Sequence, residues 1–172
     1  MIFTKKGQSM VELGLFLPLL AFFVLAIIEV CNMYLTSIKV GVISRDLAST
    51  VFRNCRENSD PAILQKCLRD SLTAADVSIL PQFAARGSLT ASIYGYDATA
   101  NFTGRRGNEC LPAAGGDGCR SKFSDATVDS NFVQKQTVVG IGEVYYQYLA
   151  VTPVQALLNF LLPDTLYENT VF

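Results

Sequence analysis

The chain has 172 residues, of which 50% are hydrophobic and 17% are charged. So much apolar surface excludes a disordered chain, and a net charge of −1 gives no basic surface that points to nucleic acid. There is no histidine, which excludes Ser-His-Asp and Cys-His catalysis and the usual imidazole metal sites. We expect no cofactor.

The first predicted element is an apolar segment near the amino terminus. Its sixteen residues, 13–28, contain no ionisable group, and Glu12 and Glu29 flank them. A helix of this length spans about 24 Å, less than a hydrocarbon core of ~30 Å, and residues 30–35 add the missing length. The segment is therefore a membrane-spanning helix over 13–35, a cleaved export signal, or both at different stages.

Two cleavage sites compete in this segment. An ordinary signal peptide would be cut after Val24-Leu25-Ala26. Alternatively, Lys5-Lys6-Gly7 ends a short basic leader that is cut after Gly7, so that Gln8 becomes the first residue and Glu12 the fifth. A carboxylate at the start of an apolar run disfavours an ordinary signal peptide and fits a prepilin signal.

The run Gly7-Gln8-Ser9-Met10-Val11-Glu12, followed by the apolar segment and Ile27-Ile28-Glu29, resembles the start of TadE-like and TadF-like minor pseudopilins of bacterial tight-adherence (Flp-type) pilus systems. The resemblance covers about positions 5–35 and is weaker at Glu143–Tyr146 and Pro153. It implies cleavage by a prepilin peptidase between Gly7 and Gln8, and a recognition and assembly role for Glu12. Major Flp pilins are much shorter and usually have tyrosine where this chain has Leu13.

The resemblance implies a minor pseudopilin that helps to initiate or cap a tight-adherence pilus, and not an enzyme. Its implied partners are the prepilin peptidase, other minor pseudopilins, the major Flp pilin, the inner-membrane assembly platform and lipid. The implied location is the bacterial inner membrane, single-pass, with a cytoplasmic amino terminus and a periplasmic carboxy-terminal domain, and the pilus after assembly. The alternative is a membrane-anchored or secreted extracytoplasmic binding domain with residues 1–26 as an ordinary signal or anchor.

The two flanking carboxylates are candidate functional groups. A carboxylate in lipid is unfavourable unless it is paired, so intramembrane ionisable residues are functional candidates. After cleavage, the α-amine of Gln8 of a neighbouring subunit could pair with Glu12; the simpler alternative is that Glu12 marks the membrane edge. Glu29, a candidate second intramembrane carboxylate, lies on a different helix face from Glu12. It is expected to have a partner of its own or to lie at the far interface.

The five cysteines are Cys31, Cys55, Cys67, Cys110 and Cys119. Spacing favours the disulfides Cys55–Cys67 and Cys110–Cys119, the second closing a glycine-rich loop; each would add ~2–3 kcal/mol. A zinc site is the competing interpretation, but no CxxC motif occurs, and we predict no metal. Disulfides indicate an oxidising compartment. Cys31 lies within the apolar helix.

The remaining pattern predicts an α+β, pilin-like fold. The first helix extends to about Asn54, and Asp60 and Pro61 begin a short second helix. Strands are expected at 77–80, 89–94 and 136–151, with a long disulfide-tied loop over about 97–135. Gly140-Ile141-Gly142 indicates a strand feature such as a bulge.

These elements give three predicted regions: a leader over 1–7, the long helix over 8–56, and an extracytoplasmic α+β domain over 57–172. The apolar cluster 153–162 is too short to span a membrane. It is either buried against the sheet or exposed as a membrane-surface or partner-facing patch.

Overall fold

In the computed structural model, residues 5–97, 102–112, 119–123, 128, 138–153 and 163–172 are described. They contain seven elements in chain order: α1 (Lys5–Cys55), α2 (Pro61–Ala74), α3 (Phe83–Arg86), β1 (Gly87–Asp97), β2 (Phe102–Leu111), β3 (Val138–Gln147) and β4 (Thr165–Val171). The predicted α+β class, with a long first helix, a short second helix and a small antiparallel sheet, is confirmed.

The chain divides into two compact units. The first, which we name the helix unit, contains Met1–Leu35 and Leu149–Asp164. The second, the sheet unit, contains Thr36–Tyr148 and Thr165–Phe172. The helix unit thus combines the start of the chain with residues 149–164. The predicted regions 8–56 and 57–172, in contrast, are consecutive stretches of sequence.

Helix α1 runs from Lys5 to Cys55, close to the predicted limits, and contains Pro18. In the sheet unit its buried residues recur every three or four positions, as expected for one face of a helix. They are Val40, Ile43, Ser44, Leu47, Ala48 and Val51. This face supplies the helical side of the sheet unit's core.

Helix α2 begins as predicted. The Asp60 side chain accepts a hydrogen bond from the backbone N–H of Ala62 at 2.8 Å, and Pro61 occupies the first turn. The disulfide Cys55–Cys67 joins the last residue of α1 to this helix, with 5.8 Å between the Cα atoms. The buried residues of α2 are Leu64, Leu68, Ser71 and Leu72.

The four-stranded sheet has the order β2-β1-β3-β4, and all neighbouring strands are antiparallel. One face of its central strands carries the buried side chains of Tyr94, Val139 and Ile141, against which Val128 and Phe123 pack. The opposite face receives α1 and also α2, whose Leu64 and Leu68 lie against Gly107 of β2. The sheet core therefore has two helices on one side and an irregular segment on the other.

Two glycines of β3 lie where α1 packs most closely on the sheet. A Cβ atom on Gly142 would be 2.6 Å from Ser44 O and 2.8 Å from Ala48 N, and one on Gly140 would be 3.1 Å from the backbone N of Phe52. The Ser44 hydroxyl also donates to Gly142 O at 2.9 Å. These glycines therefore provide room for the helix, and the predicted bulge is not there. The bulge lies in β2, where Arg106 is the extra residue between the pairs Tyr94–Arg105 and Ile93–Gly107.

Three strand predictions are corrected. Residues 77–80 form a turn and not a strand. The Asp76 carboxylate stabilises this turn by accepting hydrogen bonds from the backbone N–H and the hydroxyl of Ser78. These hydrogen bonds lower the pKa of the Asp76 carboxyl. Strand β2 lies inside the predicted 97–135 loop. Because β2 is an edge strand, it can carry Gly, Arg and Asn residues, and this composition is similar to that of a loop. Strand β4, the other edge, was not predicted.

Candidate functional site: the apolar part of α1 and the buried carboxylates

Within the helix unit, α1 exposes a continuous set of large apolar side chains. They are between 43% and 73% exposed, and we name them the apolar surface of α1: Leu13, Leu15, Phe16, Leu17, Leu19, Leu20, Phe23, Val24, Ile27, Ile28, Val30, Tyr34 and Leu35. An exposed apolar area of this size is typical of a surface that contacts a membrane or a protein partner.

By length and composition, one helix in the described part of the chain could cross a membrane, and it is α1. The helix satisfies its own backbone hydrogen bonds, as a lipid environment requires. Pro18 is compatible with that environment because prolines are tolerated in membrane helices. The apolar helix is thus compatible with membrane anchoring.

The predicted processing and assembly residues all lie on α1. Gly7 and Gln8 are in its first turns, and Glu12 follows one turn later with an exposed side chain. These residues are helical in the structure, but their roles in cleavage and assembly stay predictions.

Glu29 is fully buried, with 0% of its surface exposed. Its Oε2 accepts hydrogen bonds from the backbone N–H of Thr152 at 2.8 Å and from the Thr152 hydroxyl at 2.7 Å. The backbone N–H of Val151 lies 3.3 Å from both carboxylate oxygens. Glu29 therefore has a partner of its own, which was one of the two predicted alternatives. Since that partner is a turn over one hundred residues later in the chain, the sequence offered no signal for it.

Glu12 and Glu29 differ in both environment and position. Glu29 is seventeen positions after Glu12, which corresponds to about 25 Å along the helix axis and about 100° around it. Glu12 is exposed and Glu29 is buried. The two carboxylates therefore cannot act as one site within a single chain.

A third carboxylate, Glu143 on β3, is also fully buried. Its Oε1 accepts from the backbone N–H of Lys122 and from the Tyr167 hydroxyl, both at 2.8 Å, and its Oε2 accepts from the Ser121 hydroxyl at 2.5 Å. The Lys122 ammonium lies 4.0 Å from the centre of the Tyr167 ring. This cluster fixes the segment 119–123 on the sheet.

The Glu143 cluster was missed because its members come from three separate parts of the chain. The available signal was one charged residue, Glu143, within the apolar run 138–146. A charge at such a position is rarely buried without hydrogen-bond partners. The sequence could thus have indicated a buried network, but not Ser121 or Tyr167 as its members.

The stability of the sheet unit is expected to fall as the pH rises above 10. Burial, together with the hydrogen bond to Glu143 and its charge, raises the pKa of Tyr167 above its ordinary value of 10.0. In the unfolded chain Tyr167 loses its proton near pH 10, whereas in the folded chain it keeps the proton. The contribution of Tyr167 to the free energy of unfolding is therefore complete below pH 10 and declines above it. Burial raises the pKa of Tyr145 and Tyr146 in the same direction.

Urea unfolding of the full chain in mild detergent, repeated from pH 8 to about 11, measures this effect. We expect Tyr167→Phe to be less stable at pH 8, because it loses a hydrogen bond, yet to decline less steeply with pH. Tyr34→Phe, an exposed position on α1, is the control and should follow the unmodified chain. Parallel declines for Tyr167→Phe and the unmodified chain would contradict the prediction.

Both predicted disulfides are present. Cys110, on β2, is bonded to Cys119, with 5.9 Å between the Cα atoms, so this bridge ties the segment 119–123 to the sheet edge. Cys31 is a free, exposed thiol on α1. Among the described residues, no group of three or more Cys, Asp or Glu side chains could hold a metal ion.

Residues 7–48 match the family model described as TadE-like protein. No curated protein and no solved structure matches the chain. The match confirms the resemblance for the first part of the chain and points to the tight-adherence pilus system in general. It does not reach Glu143–Tyr146 or Pro153, where the resemblance stays a prediction. The chain carries a TadE-like domain over residues 7–48, which includes the apolar surface of α1, Glu12 and Glu29.

Proposed function

We propose that this protein is a minor pseudopilin that helps to initiate or cap a tight-adherence pilus. It is a structural subunit and a substrate of the prepilin peptidase, not an enzyme. In this proposal α1 spans the bacterial inner membrane once, with the amino terminus in the cytoplasm and the sheet unit in the periplasm. The helix then enters the fibre with the rest of the subunit.

One observation carries the proposal: the apolar surface of α1 lies within the TadE-like match and directly follows Glu12. In a membrane, lipid covers this surface. In a fibre, the apolar helices of neighbouring subunits cover it, because helix packing buries the same side chains. A single surface can therefore serve the protein before and after assembly.

Glu12 supplies the specific contact in this mechanism. Cleavage after Gly7 creates a positively charged α-amine at Gln8, one helical turn before Glu12. Inside a bundle of apolar helices, a carboxylate is strongly unfavourable unless its charge is neutralised, and in this mechanism the α-amine of a neighbouring subunit neutralises it. The pair then fixes the axial position of one helix relative to the next. The other minor pseudopilins, the major Flp pilin and the assembly platform are the proposed partners.

Mass spectrometry of the mature amino terminus tests this proposal. We expect a chain that begins at Gln8, and a Gly7→Val variant that keeps its leader. A chain that begins at Ile27 would instead support the alternative, an ordinary signal peptide followed by a secreted binding domain. The measurement needs no assembled pilus, so it separates processing from assembly.

A Glu12→Ala strain tests the assembly step. We expect cells that lack pili although the subunit is present in the membrane, because the Gln8 amine then has no carboxylate to pair with. Glu57→Ala, which removes an exposed carboxylate just after α1, is the matched control and should leave piliation unchanged. Normal pili in the Glu12→Ala strain would show that this carboxylate has no assembly role.

A further inference from the structure

The turn that Glu29 holds has the properties of a segment that enters a membrane interface. Residues 149–153 are not helical and form no strand, so the backbone N–H groups of residues 149–152 need partners. Glu29 provides them for Val151 and Thr152. Irregular backbone does not lie exposed in the hydrocarbon region, because its polar groups would have no partners there. A turn at the interface whose N–H groups are bonded to Glu29 avoids that penalty. The contact also satisfies the carboxylate, which would otherwise be too unfavourable in lipid.

Two side chains of this turn, Leu149 and Val151, are apolar and exposed, whereas the Thr152 hydroxyl is bonded to Glu29. Val151 is 70% exposed and Leu149 is 45% exposed. The surrounding sequence is unusual as well, because the twenty residues 144–163 contain no Asp, Glu, Lys or Arg. A water-facing turn normally carries polar or charged residues. The exposed residues are therefore better suited to lipid than to water.

The position of Glu29 along α1 places the turn at one membrane boundary. If the hydrocarbon core begins at Leu13, Glu29 lies about 24 Å further along the helix. A hydrocarbon core is ~30 Å thick, so this depth is just inside the far interface. Ile28 and Val30, the neighbours of Glu29 on α1, belong to the apolar surface of that helix. The turn thus extends this surface at its outer end.

We infer that the turn 149–153, docked on α1 by Glu29, inserts Leu149 and Val151 into the outer interface of the membrane. The protein then has a second contact with lipid besides the spanning helix. Glu29 is a positioning residue: it holds the turn against the helix and accepts hydrogen bonds from the backbone N–H groups of Val151 and Thr152. This inference rests on the proposed function, since it requires α1 to span the membrane.

Lipid is the occupant that these observations favour over a protein partner. The exposed side chains adjoin the apolar surface of α1, which lipid covers before assembly. The charge-free stretch offers no group for an ion pair with a partner, and protein interfaces normally have a polar rim. Interfacial segments with an apolar outer face and satisfied polar groups are typical of membrane surfaces.

The chain contains no tryptophan, so single tryptophan variants can test the inference. Three full-length variants would be reconstituted in vesicles of phosphatidylcholine and phosphatidylglycerol, with and without brominated acyl chains that quench tryptophan. Val151→Trp reports on the turn, and Leu19→Trp reports on the spanning helix. Ile79→Trp is the water control, because Ile79 is 40% exposed in a turn beside the exposed carboxylate Asp76.

We expect Val151→Trp to lose most of its fluorescence to bromine placed near the headgroups, and Leu19→Trp to bromine placed deeper. Ile79→Trp should be unaffected. If Leu19→Trp is quenched but Val151→Trp behaves like Ile79→Trp, the inference is wrong and the spanning helix stands. If Leu19→Trp is not quenched, the proposed membrane insertion is wrong. If Val151→Trp is shielded from both brominated lipid and aqueous iodide, protein covers the turn and the inference is overturned.

The role of Glu29 is tested in the Val151→Trp background. Glu29→Ala should reduce quenching by brominated lipid, because the N–H groups of Val151 and Thr152 lose their acceptor and move toward water. Cys31→Ala, an exposed residue on the same helix, is the matched control and should leave the quenching unchanged. Circular dichroism of both variants shows whether the fold is retained, and Leu149→Trp repeats the measurement at a second site. Equal quenching in a folded Glu29→Ala variant would show that Glu29 does not position the turn.

Discussion

Replacing Gly142 with alanine is expected to destabilise the sheet unit by about 3 kcal/mol, at the upper end for overpacked cores. The new Cβ atom would lie 2.6 Å from Ser44 O and 2.8 Å from Ala48 N. Both are backbone atoms of α1, so no side-chain rotation relieves the clash, and helix and strand must separate. That separation also weakens the hydrogen bond from the Ser44 hydroxyl to Gly142 O.

Urea unfolding of the full chain in mild detergent, followed by circular dichroism, measures this loss. Gly41→Ala is the matched control, because Gly41 is also in the sheet unit, on α1, and has no atom within 4 Å of its added Cβ. Alanine in an exposed helix is favoured over glycine by up to ~1 kcal/mol, so this control should be neutral or stabilising. Equal stability of the two variants would mean that α1 does not pack closely on β3 at Gly142.

The second large effect is expected for Glu143→Ala. This change leaves the backbone N–H of Lys122 and the hydroxyls of Ser121 and Tyr167 without their acceptor. These hydrogen bonds are part-buried and each contributes about 1 kcal/mol net; together with the cavity left by the buried Glu143 side chain, we expect a loss of about 4 kcal/mol. The segment 119–123 should then detach from the sheet and become sensitive to proteases.

Glu143→Gln distinguishes the hydrogen bonds from the charge. Its Oε1 can still accept from Lys122 N–H and the Tyr167 hydroxyl, and its amide can donate to the Ser121 oxygen, so the expected loss is only ~1 kcal/mol. The same unfolding measurement, with limited proteolysis of segment 119–123, compares the two variants. If glutamine were as damaging as alanine, the negative charge and not the hydrogen bonding would hold the segment.

The helices could be predicted from the sequence because their signals are local. The apolar run 13–28, the spacing of buried residues such as Val40 and Ile43, and the cap at Asp60 each act within a few residues. The two disulfides could be predicted for the same reason, since short spacings limit the pairings. The sequence resembles the TadE-like family over positions 5–35, and the family match covers 7–48.

The parts that could not be predicted depend on distant contacts. Strand β2 is an edge strand with polar residues and glycines, so its composition resembles that of a loop. Gly142 is understood only when α1 is placed on β3. The partner of Glu29 is more than one hundred residues away. In each of these cases the deciding neighbour comes from another part of the chain. Apart from Pro153, the predicted apolar cluster 153–162 lies outside the described residues.

In the proposed topology, the disulfide between Cys55 and Cys67 reports whether the sheet unit of a molecule has crossed the membrane. Both sulfurs belong to the sheet unit, and such a bond forms in an oxidising compartment but not in the cytoplasm. In the proposed topology, a molecule whose sheet unit has not yet crossed the membrane still carries reduced thiols at these positions. Alkylation of cells before lysis would trap the two states as species of different mass. Their ratio gives the fraction of subunits already delivered, without isolating a single pilus.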